Sequence, residues 1–129
     1  MEKIERIFWS AALERKLSMA FDNIPALRAS LRSGAELYEI DDELIIMIRP
    51  EIMADGQGWE MVWMISYGKN LNKHIPAILR RIKEKDFKAV RYHCADTERA
   101  VARLVQRHGA SAVETVYRFE LEGLNPNGQ

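Results

Sequence analysis

The strongest constraint on this chain is a strand, helix, strand run that no hairpin can close. Residues 59–66 are aromatic and apolar, residues 72–85 carry Ile75, Ile78, Leu79 and Ile82 at helical spacing, and residues 87–94 read as a second strand. Two strands separated by a helix of this length pair in parallel through a crossover, so the stretch has to build a sheet with a helix on one face. A further helix over 97–108, capped by Asp96 and stopped by Gly109, and a last strand over 113–121 extend the pattern.

Upstream, residues 36–40 and 43–48 read as strands joined by a tight turn at Asp41 and Asp42, with a longer connection over 54–58. Residues 45–48 and 61–65 are apolar at consecutive positions, which predicts strands covered on both faces. From Ile4 to Leu31 the apolar residues recur at steps of three and four, the spacing of a helix with one buried face. Pro25 divides this stretch into one helix from Ile4 to about Phe21 and another over 24–33, capped by Asp22 or Asn23 and ended by Gly34. The expected architecture is α/β (α+β), a mixed central sheet flanked by helices. It comprises an N-terminal helical segment (1–34), a mixed-sheet core (35–122) and a polar tail (123–129) in a single domain, as 129 residues allow.

Lys plus Arg and Asp plus Glu both number 19, so no net charge steers the protein to nucleic acid or an anionic membrane. The densest basic stretch, Arg80, Arg81, Lys83, Lys85 and Lys88, is broken by Glu84 and Asp86 and reads as a solvated helix face. Cys94 is alone and fits a reducing compartment, and no long uncharged apolar run reads as a signal or a membrane span, which places the protein in the cytoplasm. His74 and His108 lie too far apart for a local ligand motif and no Cys or His cluster has ligand spacing, so no metal site is expected.

The late strand and helix order, with the antiparallel strands before it, resembles the GNAT-type N-acetyltransferase fold over about residues 35–121. In that family a central strand splays from its neighbour, the gap admits the pantetheine arm of acetyl-CoA, and the next helix offers its first amides to the pyrophosphate. The resemblance implies a cofactor-binding turn of Tyr67, Gly68, Lys69, Asn70, Asn72 and Lys73. Asn70, Lys73 and Ile75 stand where the family writes Gln or Arg, then Gly, then Gly or Ala. In the second family motif Glu98, Val101, Val105, Gly109 and Ala110 replace an Asn, Ala, Tyr, Gly-Phe pattern, so Val105 occupies the place of the tyrosine that protonates the departing thiolate. A weaker likeness is to GNAT-like internal proteins of tailed bacteriophages, which would place the chain in a host cytoplasm or a virion.

Transfer of an acyl group to an amine needs a backbone N–H that polarises the carbonyl and a group that takes the amine proton. Glu60, near the start of the strand bordering the gap, and His93, near the end of the next one, are the candidate catalytic residues; as a bland alternative, Glu60 is a solvated edge carboxylate. The two motif losses favour a non-catalytic GNAT-like protein, a bacteriophage accessory or structural protein acting through protein contacts without a cofactor. That reading predicts Ile75, Val105 or a tryptophan filling the gap. The alternative is an acyl-CoA-dependent N-acyltransferase moving acetyl from acetyl-CoA to an amine, and it predicts an open gap with free amides around Asn70 and Lys73. Trp59, Met61 and Trp63 share one strand face, so a protein partner or self-association is also expected.

Overall fold

The computed structural model describes residues 2–93 and 99–109. Its elements are β1 (Ile4–Ile7), α1 (Ala11–Ser18), α2 (Ile24–Arg32), β2 (Glu36–Ile40), β3 (Leu44–Ile52), β4 (Trp59–Gly68), α3 (Leu71–Lys83), β5 (Ala89–Tyr92) and α4 (Arg99–Arg107). The strands form one sheet in the order β1-β2-β3-β4-β5. Its first three pairings are antiparallel, and β4 pairs with β5 in parallel through α3, as a crossover requires. This is an α+β fold with a mixed sheet between helices. Cys94, Asp96, Glu98, Ala110, the strand over 113–121 and the tail over 123–129 fall outside the described residues.

Two cores form, one on each face. Leu13 and Leu17 of α1 and the partly buried Ile24, Leu27 and Leu31 of α2 pack with Leu37, Ile45 and Met47. On the other face Ile75, Ile78 and Ile82 of α3 lie with Ile46, Ile48, Met61 and Trp63. Ile45, Ile46, Met47 and Ile48 are therefore all buried, as a strand covered on both sides demands.

The N-terminal helical reading is corrected at its start: Ile4–Ile7 is a strand paired with β2, and α1 begins only at Ala11. Ile4 and Ile7 are three apart, a spacing that puts both on one helix face but on opposite faces of a strand. Ile4 packs with the α3 core and Ile7 with the α1/α2 core, so the doubly covered sheet uses both. Ser10 then caps α1, its Oγ accepting the Leu13 N–H at 3.0 Å. Asn23 caps α2, with Pro25 in the first turn as expected.

One irregularity positions the site. Met47 pairs with Ile65 but Ile48 pairs with Trp63, so Met64 is an extra residue in β4, a bulge. Met61 and Trp63 face α3, whereas Met64, Ile65 and Tyr67 all pack towards α1 and α2. Pairing with β5 runs from Glu60–Ala89 to Trp63–Tyr92, closed by the His93 N–H donating to the Trp63 carbonyl at 3.0 Å. Beyond the bulge, β4 continues to Gly68 against β3 but has no partner strand on its other side among the described residues.

Candidate functional site

The turn between β4 and α3 is set by Gly68. With φ at +130°, a Cβ there would lie 2.1 Å from the Glu43 carbonyl oxygen, so only glycine lets the chain pass the start of β3. The Lys69 N–H donates to that same carbonyl at 2.8 Å. Asn70 follows in the left-handed region, φ 64° and ψ 34°, and begins α3 without capping it through its side chain. The first amides of a helix have no intrahelical acceptor. The amides of Leu71, Asn72 and Lys73 therefore stay unclaimed among the described residues, at the positive end of the helix dipole. Lys69 and Lys73 are exposed beside them.

The Asn70 side chain points away from these amides, its Nδ2 donating to Glu43 Oε2 at 3.0 Å. Glu43 Oε1 lies 2.6 Å from Nε2 of His74, which is wholly buried in the first turn of α3. The bond from His74, then that from Asn70, holds the Glu43 carboxyl below its ordinary range. Asn72 is engaged by His108, whose Nε2 lies 2.8 Å from its Oδ1, joining the end of α4 to the head of α3. Pro76 sits in the second turn of α3 and leaves the Asn72 carbonyl without its i+4 donor.

On the α3 side of the strand parting, the Trp63 indole N–H donates to Ser66 Oγ at 2.9 Å, and the Tyr92 hydroxyl is 3.2 Å from the same oxygen. The Trp63 and Tyr92 rings meet at 5.1 Å between centroids. A cavity of about 350 Å³ opens under α3, lined by Trp63, Ile75, Leu79, Tyr92, Val105 and His108 among others. Ile75 and Trp63 are thus core residues, and Val105 borders the cavity without closing it.

The expected site residues separate into groups. Gly68, Lys69, Asn70, Asn72 and Lys73 form one turn, while Tyr67 turns its ring to the opposite face, 6.3 Å from Phe21. His93 is exposed at the point where β5 stops pairing with β4. Glu60 lies at the far end of β4, eight residues and roughly 26 Å of strand from Gly68. There its Oε1 is 3.6 Å from Arg91 Nε, and Arg91 also bonds Glu51. The structure does not bring Glu60 to the turn. Tyr92 and Ser66 had no motif to mark them, since their pairing follows from the bulge. The expectation of no metal rests on spacing along the sequence, and the fold brings Asp41, Glu43 and His74 together from separate segments, one donor atom from each within 4.8 Å of the others.

No family model and no curated protein matches this sequence. Solved structures do match. A ribosomal-protein-alanine N-acetyltransferase from Brucella melitensis biovar Abortus superposes at a TM-score of 0.65 with 11% identity, over 93% of this chain and 99% of that one. An aminoglycoside acetyltransferase from an uncultured soil metagenomic sample, in complex with trehalose, gives 0.62 and 13% over 92% and 94%. A transcriptional regulator from Bacillus halodurans gives 0.65 and 13% over 93% and 99%. At these identities the likeness shows the fold, which is GNAT-like. The favoured non-catalytic, bacteriophage reading is corrected: structures named as acetyltransferases match this chain over nearly their whole length, and Val105, one of the residues expected to fill the gap, only borders an open cavity. Among the described residues no helix is long and apolar enough to cross a membrane.

Proposed function

We propose that this protein is an acyl-CoA-dependent N-acyltransferase that moves an acetyl group from acetyl-CoA to an amine. One juxtaposition carries the reading: three unclaimed amides at the head of α3, flanked by Lys69 and Lys73, directly after the half of β4 that parts from β5. Free amides at a helix start, with cations beside them, suit a pyrophosphate. The largely apolar cavity of about 350 Å³ between α3, β5 and α4, which reaches Trp63 and Tyr92 at the parting, has the size of a small-molecule site and suits the pantetheine arm.

Acetyl-CoA supplies the activated thioester. The main-chain N–H groups of β4 beyond Trp63 orient it and polarise its carbonyl, a role that needs rigid donors in a site shielded from water. His93, at the mouth of the parting, takes the proton from the attacking amine. Tyr92, whose hydroxyl reaches Ser66 across the parting, gives a proton to the departing sulfur, the task that Val105 cannot perform. The acceptor approaches from the α1/α2 face past Phe21 and Tyr67. Structurally similar proteins are named for aminoglycosides and for ribosomal-protein alanine, so both kinds of amine belong in the first screen.

The test is release of CoA thiol from acetyl-CoA across a panel of aminoglycosides, polyamines and peptides with N-terminal alanine. His93→Ala should lower kcat by about 10²-fold or more with KM for acetyl-CoA little changed. Lys73→Ala should raise that KM. No amine stimulating thiol release above background hydrolysis, or full activity in His93→Ala, would sink the proposal.

A further inference from the structure

Behind the head of α3 lies a group of side chains that the transfer reaction does not use. His74 has no solvent exposure, yet both ring nitrogens face carboxylates: Nε2 is 2.6 Å from Glu43 Oε1 and Nδ1 is 3.3 Å from Glu2 Oε2. Neither Nδ1 nor that Glu2 oxygen makes a hydrogen bond, and both are buried. Asp41 adds a third carboxylate within 4.8 Å, its Oδ1 accepting the Lys3 main-chain N–H at 2.7 Å. The nearby Lys3 ammonium pairs instead with Glu5 at 3.4 Å and Asp42 at 3.9 Å. Three carboxylates therefore surround one buried imidazole without a full complement of positive charge.

If His74 carries its proton on Nε2 alone, the Nδ1 lone pair faces the Glu2 carboxylate and nothing offsets the repulsion. Moving that proton to Nδ1 satisfies Glu2, but it sets the Nε2 lone pair 2.6 Å from Glu43, and either a second ring proton or a cation must then lie between them. A carboxylate on the outer nitrogen of a histidine whose inner nitrogen joins further carboxylates is the arrangement by which proteins orient a histidine ligand to a metal. We propose that His74 Nε2, Glu43 and Asp41 bind a divalent first-row cation of the Zn²⁺ or Mn²⁺ type, with Glu2 fixing the ring through Nδ1.

One nitrogen and carboxylate oxygens suit these ions better than a soft-ligand metal. Bonds of about 2.0–2.2 Å in a tetrahedral set hold donor atoms about 3.3–3.6 Å apart. On binding, the widest pair therefore closes by roughly an ångström while His74 Nε2 and Glu43 Oε1, now hydrogen-bonded at 2.6 Å, open to admit the ion. The ligands come from the β2–β3 turn and the first turn of α3, and Glu2 from the segment before β1. The cation would tie three distant parts of the chain together directly behind the amides of Leu71, Asn72 and Lys73.

The test is equilibrium dialysis of the full chain against Zn²⁺, and separately Mn²⁺, with bound metal counted and Tm followed with and without EDTA. One ion per chain, a Tm raised by metal and returned by EDTA, and affinity weakened about tenfold or more in both Asp41→Asn and Glu43→Gln are expected. Because His74→Gln risks misfolding, the control is the double variant His93→Ala, His108→Ala, which should bind as tightly as the parent. Absence of stoichiometric binding would make His74 a doubly paired imidazolium and overturn the proposal. So would binding that survives both carboxylate variants or is lost in the double variant.

Discussion

Replacing Gly68 with alanine isolates the contact that sets the head of α3. The residue has φ +130°, and the added Cβ would meet the Glu43 carbonyl oxygen at 2.1 Å and Glu43 C and Leu44 Cα at 3.0 Å each. All three are main-chain atoms of the β2–β3 turn and β3, so relief requires the strand or the turn to move. Forcing the backbone conformation costs about 1–3 kcal/mol and overpacking against a fixed neighbour about 1–3 kcal/mol more, together roughly 2–6 kcal/mol. Gly56→Ala supplies the comparison, because its φ is +71° and nothing lies within 4 Å of the added carbon, leaving only about 1–2 kcal/mol of backbone strain. Urea unfolding followed by tryptophan fluorescence reads both. With a slope of about 1–3 kcal/mol per molar, the Gly68→Ala midpoint should fall by about 1 M or more, well beyond the Gly56→Ala shift. Equal midpoints for the two variants would refute the reasoning, since they would show that the close approach to Glu43 imposes nothing.

Leu17→Ala should cost about 2–5 kcal/mol in the same assay, because Leu17 is fully buried between α1 and the sheet. Asn23→Ala should cost about 1 kcal/mol through loss of the 3.1 Å bond from the Ala26 N–H to Asn23 Oδ1, with Asn23→Asp recovering most of it. If the proposed acyl transfer holds, Tyr92→Phe should lower its kcat while leaving KM for acetyl-CoA near its parent value, read from initial rates of thiol release; an unchanged kcat would remove Tyr92 from the mechanism.

Much of the fold was legible because it rests on local signals. Consecutive apolar residues over 45–48 announced a doubly covered strand, Asn23 and Pro25 announced the start of α2, and the parallel pairing of β4 with β5 followed from the helix between them. β1 was hidden because Ile4 and Ile7 satisfy helical spacing while serving opposite sheet faces. The turn at residues 68–73 was readable as polar and cationic. The importance of Gly68 was not, since it depends on a carbonyl of Glu43 contributed by another strand. The same non-locality concealed the Glu43–His74 pair and the contact between Ser66 and Tyr92, which exist only after the hairpin and the bulge have formed. Lys73 at the family's glycine position and Val105 at its tyrosine position misled the functional reading. What the amides at the head of α3 can bind is set by whether they are left free, and neither substitution fills them.

The most direct test of the central claim is calorimetric titration of the intact chain with acetyl-CoA and with desulfo-CoA. The account predicts saturable one-to-one binding of both, since the pyrophosphate and not the sulfur is held by the α3 turn, with affinity lowered by Lys73→Ala and by added salt. Heats indistinguishable from dilution for both ligands, or binding indifferent to Lys73, would contradict it.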